Sequence, residues 1–121
     1  MKTRSHYLEN ISALALYNVY TVLYIHYMEF EWDEEKNRAN QRKHYISFEE
    51  ATEVFCYPTH ETVDTRLEYG EERFIVIGRN SKMLILTVVY TEREARIRII
   101  SARRANKQEE RLYYEYCTQT Y

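Results

Sequence analysis

Arg96 and Arg98, with Arg79, Arg93, Arg103 and Arg104 around them, are the residues of this 121-residue chain whose type and spacing point most directly to chemistry. Between positions 79 and 111 stand nine Lys/Arg against four acidic residues, whereas positions 28–78 carry thirteen acidic residues against six basic ones. A chain of formal net charge −2 has therefore gathered its positive charge into one segment. Arg96 and Arg98 alternate with Ile97 and Ile99, so a strand here presents a charged face and a buried one. A guanidinium held on a rigid strand suits planar, bidentate contact with phosphate. Such a field marks a nucleic-acid site even where the whole protein is not basic. The plain alternative is a solvated strand face, with arginines in weak surface pairs with Glu92 or Glu94.

If the substrate is RNA, cleavage without metal needs three groups. A base removes the ribose 2′-OH proton, cations stabilise the phosphorane, and an acid protonates the leaving 5′-oxygen. Arginines fill only the second role because they stay protonated. Glu92 is the carboxylate beside the cluster and the expected base. His44 is the titrating candidate elsewhere, set against a purely structural role at a helix C-terminus. Lys43 is its possible substitute as proton donor or charge stabiliser. Arg79 and Arg98 are expected on neighbouring strands, acting on the phosphate, while Arg93, Arg96, Arg103 and Lys43 hold the RNA. Arg104 is a further arginine expected to converge on that face. Tyr90 is expected to be a core or edge aromatic. The four histidines and two cysteines show no metal-ligand spacing, so neither a metal nor any other cofactor is expected. No P-loop, GxGxxG or GxSxG motif is present.

The elements that position these residues can be read from capping and periodicity. Glu29–Trp32 reads as a short strand. Asp33 caps a helix with Glu34 and Glu35 in its first turn and Arg42, Lys43 and His44 in its last. Ser47-Phe48-Glu49-Glu50 is a capping box opening a second short helix that buries Ala51, Val54 and Phe55, and Pro58 stops it. Strands are predicted over 61–65, 73–77, 84–90 and 96–101, with turns at 78–82 and 91–94. A last helix starts near Asn106, with Glu109 completing its cap, and buries Leu112, Tyr113 and Tyr116. The order predicts an α+β domain: two helices, an antiparallel β-meander, then a C-terminal helix, with the helices on one face of the sheet. Size and composition allow one compact domain without disulfides, which fits a reducing cytoplasm.

Residues 1–27 stand apart. A basic start and a mostly apolar, Tyr-rich run from Ile11 to Met28 suggest a signal peptide, a membrane anchor, or translation that begins at Met28. No small-x-small cleavage site precedes Met28, and polar residues interrupt the run. The expected division is an extension over 1–27, not part of the native product, and a domain over 28–121, with no membrane attachment.

Two blocks carry a resemblance. FEWDEEKNRANQRKHYISFEEATEVF (30–55) and the region 71–111, which includes EERFIVIGR and YTEREARIRIISARRANKQEER, resemble the BrnT toxins of bacterial type II toxin–antitoxin modules. These are small ribonucleases of RelE-like fold. The resemblance implies an mRNA-cleaving toxin that stops translation in the cytoplasm. A cognate BrnA-like antitoxin of the ribbon-helix-helix DNA-binding type would neutralise it, and operator DNA would be met only through their complex. The alternative is a non-catalytic nucleic-acid- or protein-binding module, which keeps the basic face and needs no acid or base. Two departures stand out. Where the family generally has Gly after Lys43-His44, this chain has Tyr45, so the helix is expected to end differently and move His44. Ala95 stands where the family has Gly or a polar turn residue.

Overall fold

The computed structural model describes residues 2–4 and 28–120. The expected division at Met28 concerns residues that, apart from Lys2–Arg4, lie outside that range. In chain order the elements are β1 (Lys2–Arg4), β2 (Glu29–Trp32), α1 (Glu34–His44), α2 (Phe48–Thr52) with a tighter turn over Glu53–Cys56, β3 (Thr59–Val63), β4 (Phe74–Arg79), β5 (Ile85–Arg93), β6 (Arg96–Arg104) and α3 (Lys107–Thr120). They form an α+β domain with one six-stranded sheet in the order β1-β2-β6-β5-β4-β3. The meander β3–β6 is antiparallel, whereas β2 joins β6 in parallel, with Glu29, Phe30 and Glu31 opposite Arg96, Ile97 and Arg98.

Local chemistry builds the helix starts. Asp33 Oδ1 accepts from the backbone N–H groups of Lys36 and Glu35, and these bonds hold its carboxyl below the usual range. Ser47 and Glu50 close a reciprocal capping box, and so do Asn106 and Glu109. Tyr45 adopts the left-handed conformation, φ 59°, and its N–H bonds to Gln41 O at 2.9 Å. The helix therefore ends as it would with glycine, and the expected displacement of His44 does not occur.

The strands run further than periodicity suggested. Gly78 and Arg79 belong to β4, because the turn begins only at Asn80, whose side chain accepts from Lys82 N and Leu84 N. Residues 91–93 continue β5, and the hairpin turns on Glu94 and Ala95 alone, at φ 53° and 64°. Two consecutive left-handed residues match the right-handed twist of a two-residue hairpin.

The core lies between one sheet face and α2. Phe30, Trp32, Phe48, Ala51, Val54, Val76, Leu86, Val88, Ile99 and Ala102 are all at most 1% exposed. The opposite face carries a second, smaller cluster of Ile77, Ile85 and Tyr113. Ile77 alternates with Val76, and Ile85 with Leu86, so α3 packs on the face away from α2. The expectation of helices on a single face is thus corrected: Ile77 and Ile85 give the meander a second apolar patch, which Tyr113 covers. On α3, Tyr113 is buried and Tyr116 meets the His60 ring at 5.4 Å, while Leu112 is 42% exposed, one helical step off the contact line.

α1 is different: its buried residues are Asn37 and Asn40. Asn40 donates to Ala102 O (2.7 Å) and Ile46 O (2.9 Å) and accepts from Ala102 N (3.2 Å). Asn37 accepts from Phe48 N at 2.9 Å. The Asn40 amide acts as one more peptide group on the edge of β6, beyond the point where β2 stops.

Candidate nucleic-acid interface

A bulge in β6 decides which arginines share a face. Tyr90 pairs with Ile99 and Val89 with Ser101, which leaves Ile100 without an opposite residue. Strict alternation from Arg96 and Arg98 would continue to Arg104. The extra residue shifts the phase, so Arg96, Arg98, Ser101 and Arg103 lie on the face opposite the main core, while Arg104 goes to the main-core side with Leu86. Arg93, paired with Arg96 across the hairpin, joins the row.

Two arginines directly opposite each other repel, and each of these has its own carboxylate. Arg93 binds Glu71 at 3.0 Å and Arg96 binds Glu29 at 2.8 Å. Arg103 forms a two-bonded fork with Glu109, at 2.7 and 2.9 Å. Arg93, first among its partners, lowers the pKa of Glu71. For Glu109, burial pushes the pKa up, but the bonds from Arg103 and Asn106 outweigh it and leave it lowered. The row is basic in composition but substantially neutralised in the folded chain. Glu31 lies opposite Arg98 in register and is only 6% exposed. Sequence reading passed it over as the outward residue of an alternating strand; the parallel pairing that brings it to Arg98 has no local signature.

The remaining expected site residues are dispersed. Glu92 is exposed and pairs with Ile97, so it points to the side of the sheet opposite Arg98. Arg79 is not on a strand next to Arg98, because β5 intervenes. It pairs with Ile85, at the far end of β5 from Thr91, the partner of Arg98. Six residues of strand separate those positions, roughly 20 Å. Arg79 instead stacks over the Tyr57 ring at 3.7 Å and reaches Met83 Sδ at 3.0 Å. Burial raises the Tyr57 pKa, and the Arg79 charge opposes it. Lys43 is exposed and His44 half-buried at the end of α1, and none of the described bonds joins either to Arg93, Arg96 or Arg103. Tyr90 is buried, stacked on Phe74 at 5.2 Å, and donates a short hydrogen bond to Glu61.

The loop after β3 forms one wall of the arginine face. Buried Asp64 accepts from Arg66 N, Nε and Nη2 and from Tyr69 OH at 2.8–3.1 Å. The Arg66 bonds foremost, against the opposing effect of burial, hold its carboxyl well below the usual range. Thr91 Oγ1 ties the same loop down by donating to Glu72 O at 2.6 Å. Between this loop and α3 lies a cleft of about 280 Å³. Among the described residues, no group of three His, Cys, Asp or Glu could hold a metal ion, and no helix is long and apolar enough to cross a membrane. Cys56 and Cys117 are free thiols, and burial pushes Cys56 up to about 12.

No curated protein matches the chain. Among solved structures it is similar to the 1.1 Å crystal structure of the Brucella abortus ribonuclease toxin BrnT, at 22% identity and a TM-score of 0.49, over 64% of this chain and 96% of that one. The family model described as the ribonuclease toxin BrnT of type II toxin–antitoxin systems matches residues 32–109. That span runs from the last residue of β2 to the Glu109 cap of α3 and contains the entire arginine row. The chain belongs to the BrnT family of type II ribonuclease toxins.

Proposed function

We propose that this protein cleaves mRNA without a metal ion and so arrests translation in the cytoplasm. The observation that carries this reading is the row Arg93, Arg96, Arg98 and Arg103 on one sheet face, within the segment matched by the toxin family. In this proposal Arg93 and Arg96 bind the RNA backbone, exchanging their carboxylate partners for phosphate, Arg103 holds the RNA with its Glu109 fork intact, and Arg98 stabilises the phosphorane. Two carboxylates compete for the role of base. Glu92 lies beside the cluster in sequence, and Glu31 stands opposite Arg98 in register. His44, Lys43 and Arg79 remain outlying candidates, since each would need the RNA to reach it along the surface. We further propose that a small BrnA-like ribbon-helix-helix antitoxin covers the row over roughly 800 Å² or more per partner. Operator DNA would then be bound only through that complex.

The test is cleavage of RNA by the full chain freed from antitoxin. Arg98→Ala is expected to cut the rate about a hundredfold or more with little loss of binding. Glu31→Gln and Glu92→Gln separate the two bases, since only the true one abolishes cleavage. If all three variants cleave like wild type and arrest growth at equal protein levels, the site lies elsewhere. A protein that binds RNA but never cleaves it is the non-catalytic module.

A further inference from the structure

Thr87 is 3% exposed, and its Oγ1 is buried with no hydrogen-bond partner. The Glu109 carboxylate lies near enough for the hydroxyl to help lower its pKa, but the two do not form a well-aligned hydrogen bond. A bare buried hydroxyl costs about 1–3 kcal/mol, and native proteins seldom leave one unexplained. This one lines the 280 Å³ cleft between the Asp64–Arg73 loop and α3. Ser101 lines the same cleft from the neighbouring strand, diagonal to Thr87, and its hydroxyl also makes none of the described bonds. Ile75 and Val89 supply an apolar floor, and Arg66 and Arg103 stand at the rim.

The charges at the rim say what would fit. Arg66 is forked onto Asp64 and Arg103 onto Glu109, so each cation is already matched by a carboxylate. A free phosphate gains little from such a pair. A guanidinium held flat by a two-bonded carboxylate is instead a fixed plane for stacking, and the Arg66 and Arg103 side chains keep 63% and 40% of their surface exposed. The cleft therefore offers a neutral planar guest two stacking surfaces, an apolar floor and two spare hydroxyls. Its volume admits one such group, below the usual range for a larger small-molecule ligand. Unpaired RNA bases are recognised in this manner, by stacking on guanidinium planes and by hydrogen bonds along the base edge.

We infer that this cleft is a subsite for a single unpaired nucleobase of the RNA, with Thr87 and Ser101 reading its edge. The inference rests on the ribonuclease reading and adds to it a base-reading position beside the arginine row.

The experiment titrates the full-length protein, free of antitoxin, with adenosine, guanosine, cytidine and uridine, and separately with inorganic phosphate, followed by NMR of the Thr and Ser positions. At least one nucleoside should bind saturably in the millimolar range and shift Thr87 and Ser101, while phosphate alone leaves them unmoved. Thr87→Val keeps the side-chain shape and deletes the orphan hydroxyl. It should unfold at a higher urea concentration than wild type and bind the nucleoside about tenfold more weakly. Ser101→Ala, at a half-buried position that tolerates trimming, should weaken binding by a similar factor with stability unchanged. The inference is overturned if no nucleoside binds, if phosphate shifts the cleft as strongly, or if both variants bind the nucleoside as wild type does. RNA cleavage that persists without nucleoside binding removes the cleft and leaves the ribonuclease. Nucleoside binding by a protein that never cleaves RNA does the reverse.

Discussion

Replacing Asn40 with alanine is expected to be among the most damaging single changes outside the apolar core. Its side chain satisfies three backbone groups: Ala102 O, Ala102 N and Ile46 O. Ala102 is fully buried and Ile46 nearly so, so water cannot step in without opening the edge of the sheet. Each buried group left bare costs roughly 1–3 kcal/mol. The N–H contact is the longest of the three, at 3.2 Å, so the low end of the range applies to it. The sum is about 3–7 kcal/mol, a large part of the stability of a small domain. For a chain of this size that lowers Tm by roughly 12–28 °C. Urea unfolding followed by circular dichroism should show a lower midpoint with an unchanged slope. Asn40→Asp should be no better, because a carboxylate would face two carbonyl oxygens and lose both donated bonds. If Asn40→Ala costs under about 1 kcal/mol, the amide does not clamp α1 to β6.

Three further outcomes follow from particular residues. Tyr45→Gly removes the left-handed strain of a residue that is 86% exposed; it should gain about 0.5–1 kcal/mol, measured as a higher urea midpoint. Asp64 is held below its ordinary pKa by Arg66, so its contribution is complete above about pH 4, the unfolded value, and is lost as pH falls through the lower folded value. Asp64→Asn should flatten the acid limb of stability against pH, whereas an unchanged slope would place the acid sensitivity elsewhere. Deleting residues 1–27 removes β1 and leaves β2 as the edge strand, and because the buried core of the described residues begins at Met28 the shortened chain should still unfold cooperatively; aggregation or loss of cooperativity would make the extension part of the fold.

What the sequence disclosed and what it hid divide along sequence distance. Asp33, the Ser47–Glu50 box and the Asn106–Glu109 box were legible because a cap is written within four residues of itself. Alternation marked Arg96 and Arg98 as one face, but it could not show the bulge at Ile100, which swaps Arg103 into that face and Arg104 out of it. Arg79 was misjudged because Gly78 suggested a turn, whereas the structure uses it for close approach: a Cβ there would lie 3.0 Å from Val54 Cβ. Glu31, Arg66 and Thr87 went unseen for a shared reason. Their significance comes from a parallel strand, a loop fork and a cleft whose parts are far apart in the chain. Tyr45 showed that a local rule can be broken at a cost smaller than the packing that enforces it.

The parallel seam between β2 and β6 also fixes an order of events. Glu29 and Arg96 are 67 residues apart, and Asn40 and Ala102 are 62 apart. Closing such long loops costs entropy that only the final contacts return. β3, β4 and β5 can zip as hairpins while the chain is still growing, but the contacts of β2 and α1 with β6 cannot form until β6 exists. Three of the four row arginines, Arg96, Arg98 and Arg103, are carried by that same last strand. Assembly of the basic face is thus coupled to the appearance of β6, so a chain interrupted before Arg96 would have neither the β2–β6 seam nor the arginine row.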